Sequence, residues 1–147
     1  MQEARPQVHP QALSRDFVLH GDLAGLALSR DAIMEFVHEH CTDEQQEIDI
    51  FLTLQEALAN AILHGCHDDA NKLVYCTVEI SPSAFEFTIK DPGEGFDPGG
   101  ATESTEDGTN LTQHGRGIFL MRSLMDEVTY RHNGTELHLM KKRRSSG

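Results

Sequence analysis

Two runs in the middle of the chain restrict its fold more than any other feature. From Leu73 to Ile80, Val74, Cys76, Val78 and Ile80 fall on every second position. After Ser81-Pro82-Ser83, the residues Phe85, Phe87 and Ile89 alternate with Glu86, Thr88 and Lys90. Strand side chains point alternately to opposite faces, so the two runs predict a hairpin with one apolar face and one wet face. A sheet of that kind needs a second layer over its apolar side.

The flanking sequence supplies the layer. Phe17 and Leu19 within Ser14 to Gly21 predict a short edge strand, and Leu23, Leu26, Ala27, Ile33, Met34 and Val37 form one stripe of an amphipathic helix. Thr42-Asp43-Glu44-Gln45 has the form of a capping box and opens a second helix that runs to Gly65, a suitable C′ residue. A short helix is expected from Gly117 to Met125. Glu127 to Arg131 and Thr135 to Met140 read as a last hairpin, joined by Asn133-Gly134 in a type I′ turn. Residues 97–114 show no periodicity and read as a long mobile loop. The order predicts an α+β fold, a two-layer sandwich with a mainly antiparallel, mixed β-sheet and helices on one face. Residues 1–13 form a flexible lead-in, 14–141 one domain and 142–147 a basic tail.

A formal net charge of −12 argues against a nucleic-acid surface, because too little is available to neutralise phosphates. The basic cluster Lys141-Lys142-Arg143-Arg144 is expected to be a solvated tail. Three cysteines are too few for a disulfide framework, no apolar run follows a basic start, and no window reaches the length of a membrane span. A soluble cytoplasmic protein is expected, with neither nucleic acid nor membrane as a direct partner.

Chemistry concentrates in three places. Along the second helix, Glu56, Asn60 and His64 recur every four residues, so they stack on one side, beside an apolar stripe (Ile48, Phe51, Leu52, Ala59, Ile62, Leu63) expected to face the sheet. A carboxylate, an amide and an imidazole so placed either bind a cation and handle a proton or simply face water. His64, Cys66 and His67 lack the spacing of a zinc site. The second place is Asp91-Pro92-Gly93-Glu94-Gly95-Phe96-Asp97-Pro98, directly after a strand, where the glycines let backbone approach a phosphate, a base or another turn. The third is Gln113-His114-Gly115-Arg116-Gly117, a glycine-rich turn expected to lead into a helix whose first N–H groups suit phosphate.

In order and spacing, "EALANAILHG", "DPGEGFDP" and "HGRGIFLM" resemble the N, G1 and G2 boxes of the ATP-binding domain found in type II topoisomerases, histidine kinases and certain chaperones, the GHKL or Bergerat fold. The likeness extends over nearly the whole chain. It is strongest toward bacterial anti-sigma factors that are also serine kinases, the RsbW-like group. The resemblance implies ATP and Mg²⁺ as cofactors. It implies that Asp91 accepts a hydrogen bond from the adenine amino group and that Gly93, Gly95 and Phe96 lie close to the nucleotide. Asn60 would give Mg²⁺ its side-chain oxygen, Glu56 would act as general base toward a serine hydroxyl, and His64 would support the site. Gly115 and Gly117 would present N–H groups to the phosphates, with Arg116 steadying the transferring charge. Some relatives carry an arginine just ahead of the first glycine, where this chain has Gln113 and His114.

The activity implied is phosphorylation of a serine on a STAS-type anti-anti-sigma partner, together with sequestration of a sigma factor; a homodimer is a further possible assembly. The alternative is an ATP-binding interaction module with little or no kinase activity. Glu56 separates the two, since a pure binder has no use for a base.

Overall fold

The computed structural model describes residues 12–94 and 113–144, with backbone alone at 113–115. The expected lead-in, Gly95, Phe96 and nearly all of the expected 97–114 loop lie outside the described residues. Five strands, β1 (Leu13–Gly21), β2 (Asp69–Ile80), β3 (Ala84–Lys90), β4 (Glu127–Arg131) and β5 (Glu136–Lys142), form one sheet in the order β1-β2-β3-β5-β4. Every neighbouring pair among them is antiparallel, so the described sheet is not mixed. Three helices, α1 (Leu26–His38), α2 (Glu44–Asn60) and α3 (Gln113–Leu124), complete the α+β layer pair.

Register follows the alternation. Leu19, Val74, Ile89 and Leu137 face inward together with Cys76, Val78, Phe85, Phe87 and Leu139, and all are buried. Burying a side chain of this size contributes about 1.5–3 kcal/mol, so a one-residue slip would reverse both faces at prohibitive cost. In α1, Leu26, Ile33, Met34 and Val37 reach the core as expected, whereas Leu23 lies in a preceding 3-10 turn and is exposed, as is Ala27.

The face that α2 buries is only partly the one expected: Ile62 is buried and Phe51 and Ala59 pack against the core, but the centre of the buried face lies elsewhere. Its inner residues are Ile50, Thr53, Leu54, Ala57 and Leu58, followed by Ala61 and Ile62. Ile48, Leu52 and Leu63 are 44%, 41% and 39% exposed. Apolar residues occur on two sides of this helix, and composition alone does not say which side the sheet takes. The cap also moves by one residue: the Asp43 carboxylate accepts the Gln46 N–H, and Gln46 reaches across to the Lys142 carbonyl instead of folding back. In the β4–β5 turn the central pair is His132-Asn133 (φ 55° and 60°), closed by the Gly134 N–H donating to the Arg131 carbonyl. The positive φ continues through Gly134 (88°), and the Thr135 N–H donates to the His132 carbonyl at 3.2 Å, so the expected Asn133-Gly134 pair is the centre of a second, overlapping turn.

The basic cluster is only in part a solvated tail: Lys142 and Arg144 are exposed, but Lys141 and Arg143 are drawn into the fold. Lys141 donates to Asp49 at 3.0 Å, both side chains being almost buried, and to the Leu124 carbonyl. Arg143 donates to the Ser81 carbonyl and lies 4.9 Å over the Phe85 ring, and Arg144 pairs with Asp43. These cations tie the end of β5 to the start of α2. Replacing Lys141 with Ala leaves Asp49 without its partner in a largely dry position, and a loss of about 2 kcal/mol is expected in urea unfolding. Equal midpoints for the variant and the parent would show that the pair is dispensable.

Candidate functional site

The site begins where α2 stops being an α-helix. From Ala61 to Gly65 the chain makes a π turn, with the Cys66 N–H donating to the Ala61 carbonyl at 3.0 Å. Such turns insert an extra residue and are frequent at functional sites. Gly65 thus belongs to the turn and is not the C′ residue. The reversal after it is made by His67 and Asp68, both at positive φ.

Gly65 serves a close approach instead. A methyl group there would run into the Asp91 carboxyl group and come within 2.6 Å of the Asp91 Cβ, and one on Gly93 would come within 2.8 Å of the Gly65 backbone. Asp91 follows β3, its N–H donates to the Thr135 carbonyl at 3.0 Å, and its carboxylate accepts the Gly93 N–H at 2.8 Å. The second half of the helix and the end of β3 are thereby pressed together. Between them opens a narrow cleft, partly open to solvent, lined by Asn60, His64, Asp91 and Tyr130 and floored by Ala57, Ile89 and Leu137. Its mixture of an apolar floor with a few polar groups is the lining of a small-ligand site.

The polar groups are unevenly satisfied. The Asn60 amide nitrogen is buried with no hydrogen-bond partner. A buried amide atom left unpaired on a cleft wall is the kind of group that a bound ligand completes. Burial raises the Asp91 pKa from its ordinary value, and the Gly93 N–H opposes that rise. Glu56, one turn before Asn60, lies against α3: a methyl group on Gly117 would overlap its carboxylate and come within 2.7 Å of the carboxyl carbon.

The structure therefore joins Asn60, His64 and Asp91 in one cleft, places Gly93 beside Gly65, and sets Glu56 against Gly117. Helix α3 starts at Gln113, four residues earlier than expected, so Gly115, Arg116 and Gly117 lie within it and not in a turn ahead of it. Arg116 is exposed. Among the described residues, no group of three or more His, Cys, Asp or Glu side chains is placed to hold a metal ion.

Tyr130 escaped the sequence reading. Burial raises its phenol above the ordinary range, and the Glu56 and Asp91 carboxylates add to the rise while Arg122 opposes it. One phenol thus senses both carboxylates, one from each end of the site. The signal was available: Tyr130 alternates with Val128 on a strand whose inward side faces the helices.

Asp91→Asn offers a test with two signs. A raised carboxyl pKa means that the folded state holds its proton more tightly than the unfolded chain. Its contribution to stability is full below the unfolded pKa and is lost as pH rises through the folded one. At neutral pH the ionised, desolvated carboxylate is a net burden. The ligand-free Asp91→Asn protein is accordingly expected to melt at or above the parent temperature at pH 7, with the difference vanishing toward pH 3, while adenine-nucleotide affinity falls. A variant that melts well below the parent at pH 7 would contradict the desolvation argument.

A two-layer α+β fold with a cleft at the end of its sheet, bounded by a broken helix, defines a small-ligand-binding class of protein. The comparisons make that specific. Residues 19–141 match the family model for the histidine kinase-like ATPase domain. The chain is 30% identical over 122 residues to the anti-sigma F factor of Geobacillus sp. (strain WCH70) and equally to that of Bacillus cereus (strain G9842), covering 78% of this chain and 82% of each relative. The chain belongs to the histidine kinase-like ATPase family, in its anti-sigma factor branch. The fold is also similar to the structure of the RsbU and RsbW domains of Rv1364c from Mycobacterium tuberculosis, with a TM-score of 0.56 at 15% identity over 90% of this chain. This chain covers 32% of that larger one. No helix among the described residues is long and apolar enough to cross a membrane.

Proposed function

We propose that this protein is a cytoplasmic anti-sigma factor and serine-protein kinase that uses Mg·ATP to phosphorylate a STAS-type anti-anti-sigma partner and releases or holds a sigma factor accordingly. The observation that carries the reading is the single cleft in which Asp91 and the unpaired Asn60 amide meet, with Glu56 one helical turn away. In this reading Asp91 takes the adenine amino group, and guanine, which offers a carbonyl there, leaves the buried acceptor unpaired. Ala57, Ile89 and Leu137 give the base an apolar floor.

Asn60 lines the cleft, and its amide oxygen is the kind of hard ligand that suits Mg²⁺. Mg²⁺, when bound there with the phosphates, supplies charge neutralisation of the transferring group. Glu56 accepts the proton of the serine hydroxyl as its oxygen bonds to the γ-phosphorus and ADP departs with the bond between them broken. The first turn of α3, with Gly115, presents backbone N–H groups toward the phosphates, Gly117 lets the helix pack closely on Glu56, and Arg116 adds a positive charge.

The test is transfer of labelled γ-phosphate from Mg·ATP to a cognate STAS protein. Label on a serine of that protein is the expected result. Tight nucleotide binding with no transfer to any cognate partner would leave the ATP-dependent binding module as the better reading.

A further inference from the structure

Helix α2 is apolar on two sides, and only one of them is in the core. Its second stripe, Ile48 and Leu52, continued by Leu63 in the π turn, is exposed along the solvent side and spans roughly 20 Å at 1.5 Å per residue. Beside it, Met34, His38, Glu44, Glu47, Ile48 and Phe51 line a groove between α1 and α2, so stripe and groove share Ile48 and are continuous. A helix that is apolar all round is ordinarily buried all round.

Charge decides what covers it. Residues 26–60 hold eight carboxylates and one arginine, Arg30, which already pairs with Asp31 and Gln55 and lies over the Phe51 ring. Asp43 and Asp49 are offset by Arg144 and Lys141. Glu47 on the groove wall bonds the His38 ring at 2.8 Å, Glu44 stays on the wall beside it, and Glu56 follows Leu52 by one turn. A second copy pairing through this face would set the same acids against one another, since a two-fold interface matches a patch with itself.

We propose that this face docks an amphipathic helix of a partner protein, with leucine-like residues on the α2 stripe and lysine or arginine flanking them. The surface deepens the partner-binding part of the proposed function and rests on it. It also has a geometric consequence. The stripe lies about 100° around α2 from the Glu56–Asn60–His64 side, so a partner lying on it has its neighbouring residues at the edge of the nucleotide cleft. Docking there brings an acceptor hydroxyl toward Glu56 without using the cleft itself.

The experiment measures fluorescence anisotropy of a labelled synthetic leucine–lysine amphipathic helix against the full chain. A leucine–glutamate helix and a lysine peptide with scrambled leucines are the comparisons. The parent should bind the leucine–lysine helix at least tenfold tighter than either. Ile48→Asn with Leu52→Asn, which leaves the charge unaltered, should lose at least tenfold, and each single change should lose part of that. Val18→Asn on the open face of the sheet should lose nothing. Glu44→Lys should weaken the leucine–lysine helix and improve the leucine–glutamate one.

Equal affinity in the parent and the Ile48 and Leu52 variants would reduce the attraction to net charge and overturn the proposal, as would no binding by the parent. A change of sedimentation from dimer to monomer in those variants would overturn it in favour of a second copy. Affinity for a fluorescent ATP analogue, read on the same variants, should stay at the parent value. A protein that binds the helix but transfers no phosphate would refute the kinase reading alone.

Discussion

Glu56→Gln is expected to bind Mg·ATP as the parent does and to phosphorylate its partner about 10²–10⁴-fold more slowly, the usual contribution of a positioned general base. Glutamine has the same shape, so it keeps the packing of this side chain against the Gly117 backbone, where there is no room for a larger neighbour. It cannot accept the serine proton as a carboxylate does. Asn60→Ala should behave in the opposite way. It removes the amide whose nitrogen is buried and unpaired in the cleft, and with it the proposed metal ligand, so nucleotide affinity should fall. The pair separates binding from chemistry along one face of one helix. Nucleotide titration and single-turnover transfer measure the two quantities, and a Glu56→Gln protein that transfers at the parent rate would end the kinase assignment.

Gly65→Ala should be the most damaging small change in the molecule. The added methyl would overlap the Asp91 carboxyl group and lie 2.6 Å from its Cβ. Asp91 is too short to swing aside, its backbone N–H is held by Thr135 and its carboxylate by Gly93. The π turn or the end of β3 must therefore move, which costs about 3 kcal/mol as overpacking does at its upper range, and the cleft is lost with it. Gly117→Ala offers the contrast. Its methyl would meet only the far half of the Glu56 side chain, which can rotate, so stability should fall by less than about 1 kcal/mol while transfer suffers. Gly25→Ala, with nothing within 4 Å of the added methyl, should be close to neutral. Urea midpoints of the three variants test the order; a Gly65→Ala protein as stable as the Gly25→Ala protein would mean that the close contact with Asp91 is not a constraint.

Strand periodicity was fully legible, because a period of two leaves one choice of face and the hairpin fixes the partner. The inward set Val74, Cys76, Val78, Ile80, Phe85, Phe87 and Ile89 is the set that is buried. The runs along α2 and after β3 were legible as far as they are described, since each is a set of near neighbours with local backbone needs, whereas the glycine-rich turn expected ahead of α3 lies inside that helix. Asp91, Asn60 and His64 do line one cleft.

Which face α2 buries was decided elsewhere. Both of its apolar sides satisfy the helical period, and only the shape of the sheet and the position of α1 select Ile50, Leu54, Ala57 and Leu58 over Ile48 and Leu52. The role of Lys141 and Arg143 was likewise invisible, because a run of cations looks the same whether it meets water or a carboxylate and carbonyls more than sixty residues away in the chain. Tyr130 enters the site only because β4 and β3 flank β5 in the sheet, which brings its phenol within reach of the charges on Glu56 and Asp91. Sequence by itself determined what repeats along the chain and what a few neighbouring residues require of the backbone. The tertiary structure alone decided which of several equivalent faces, charges and aromatic rings would meet, because those choices depend on the free energy of contacts between segments far apart in sequence.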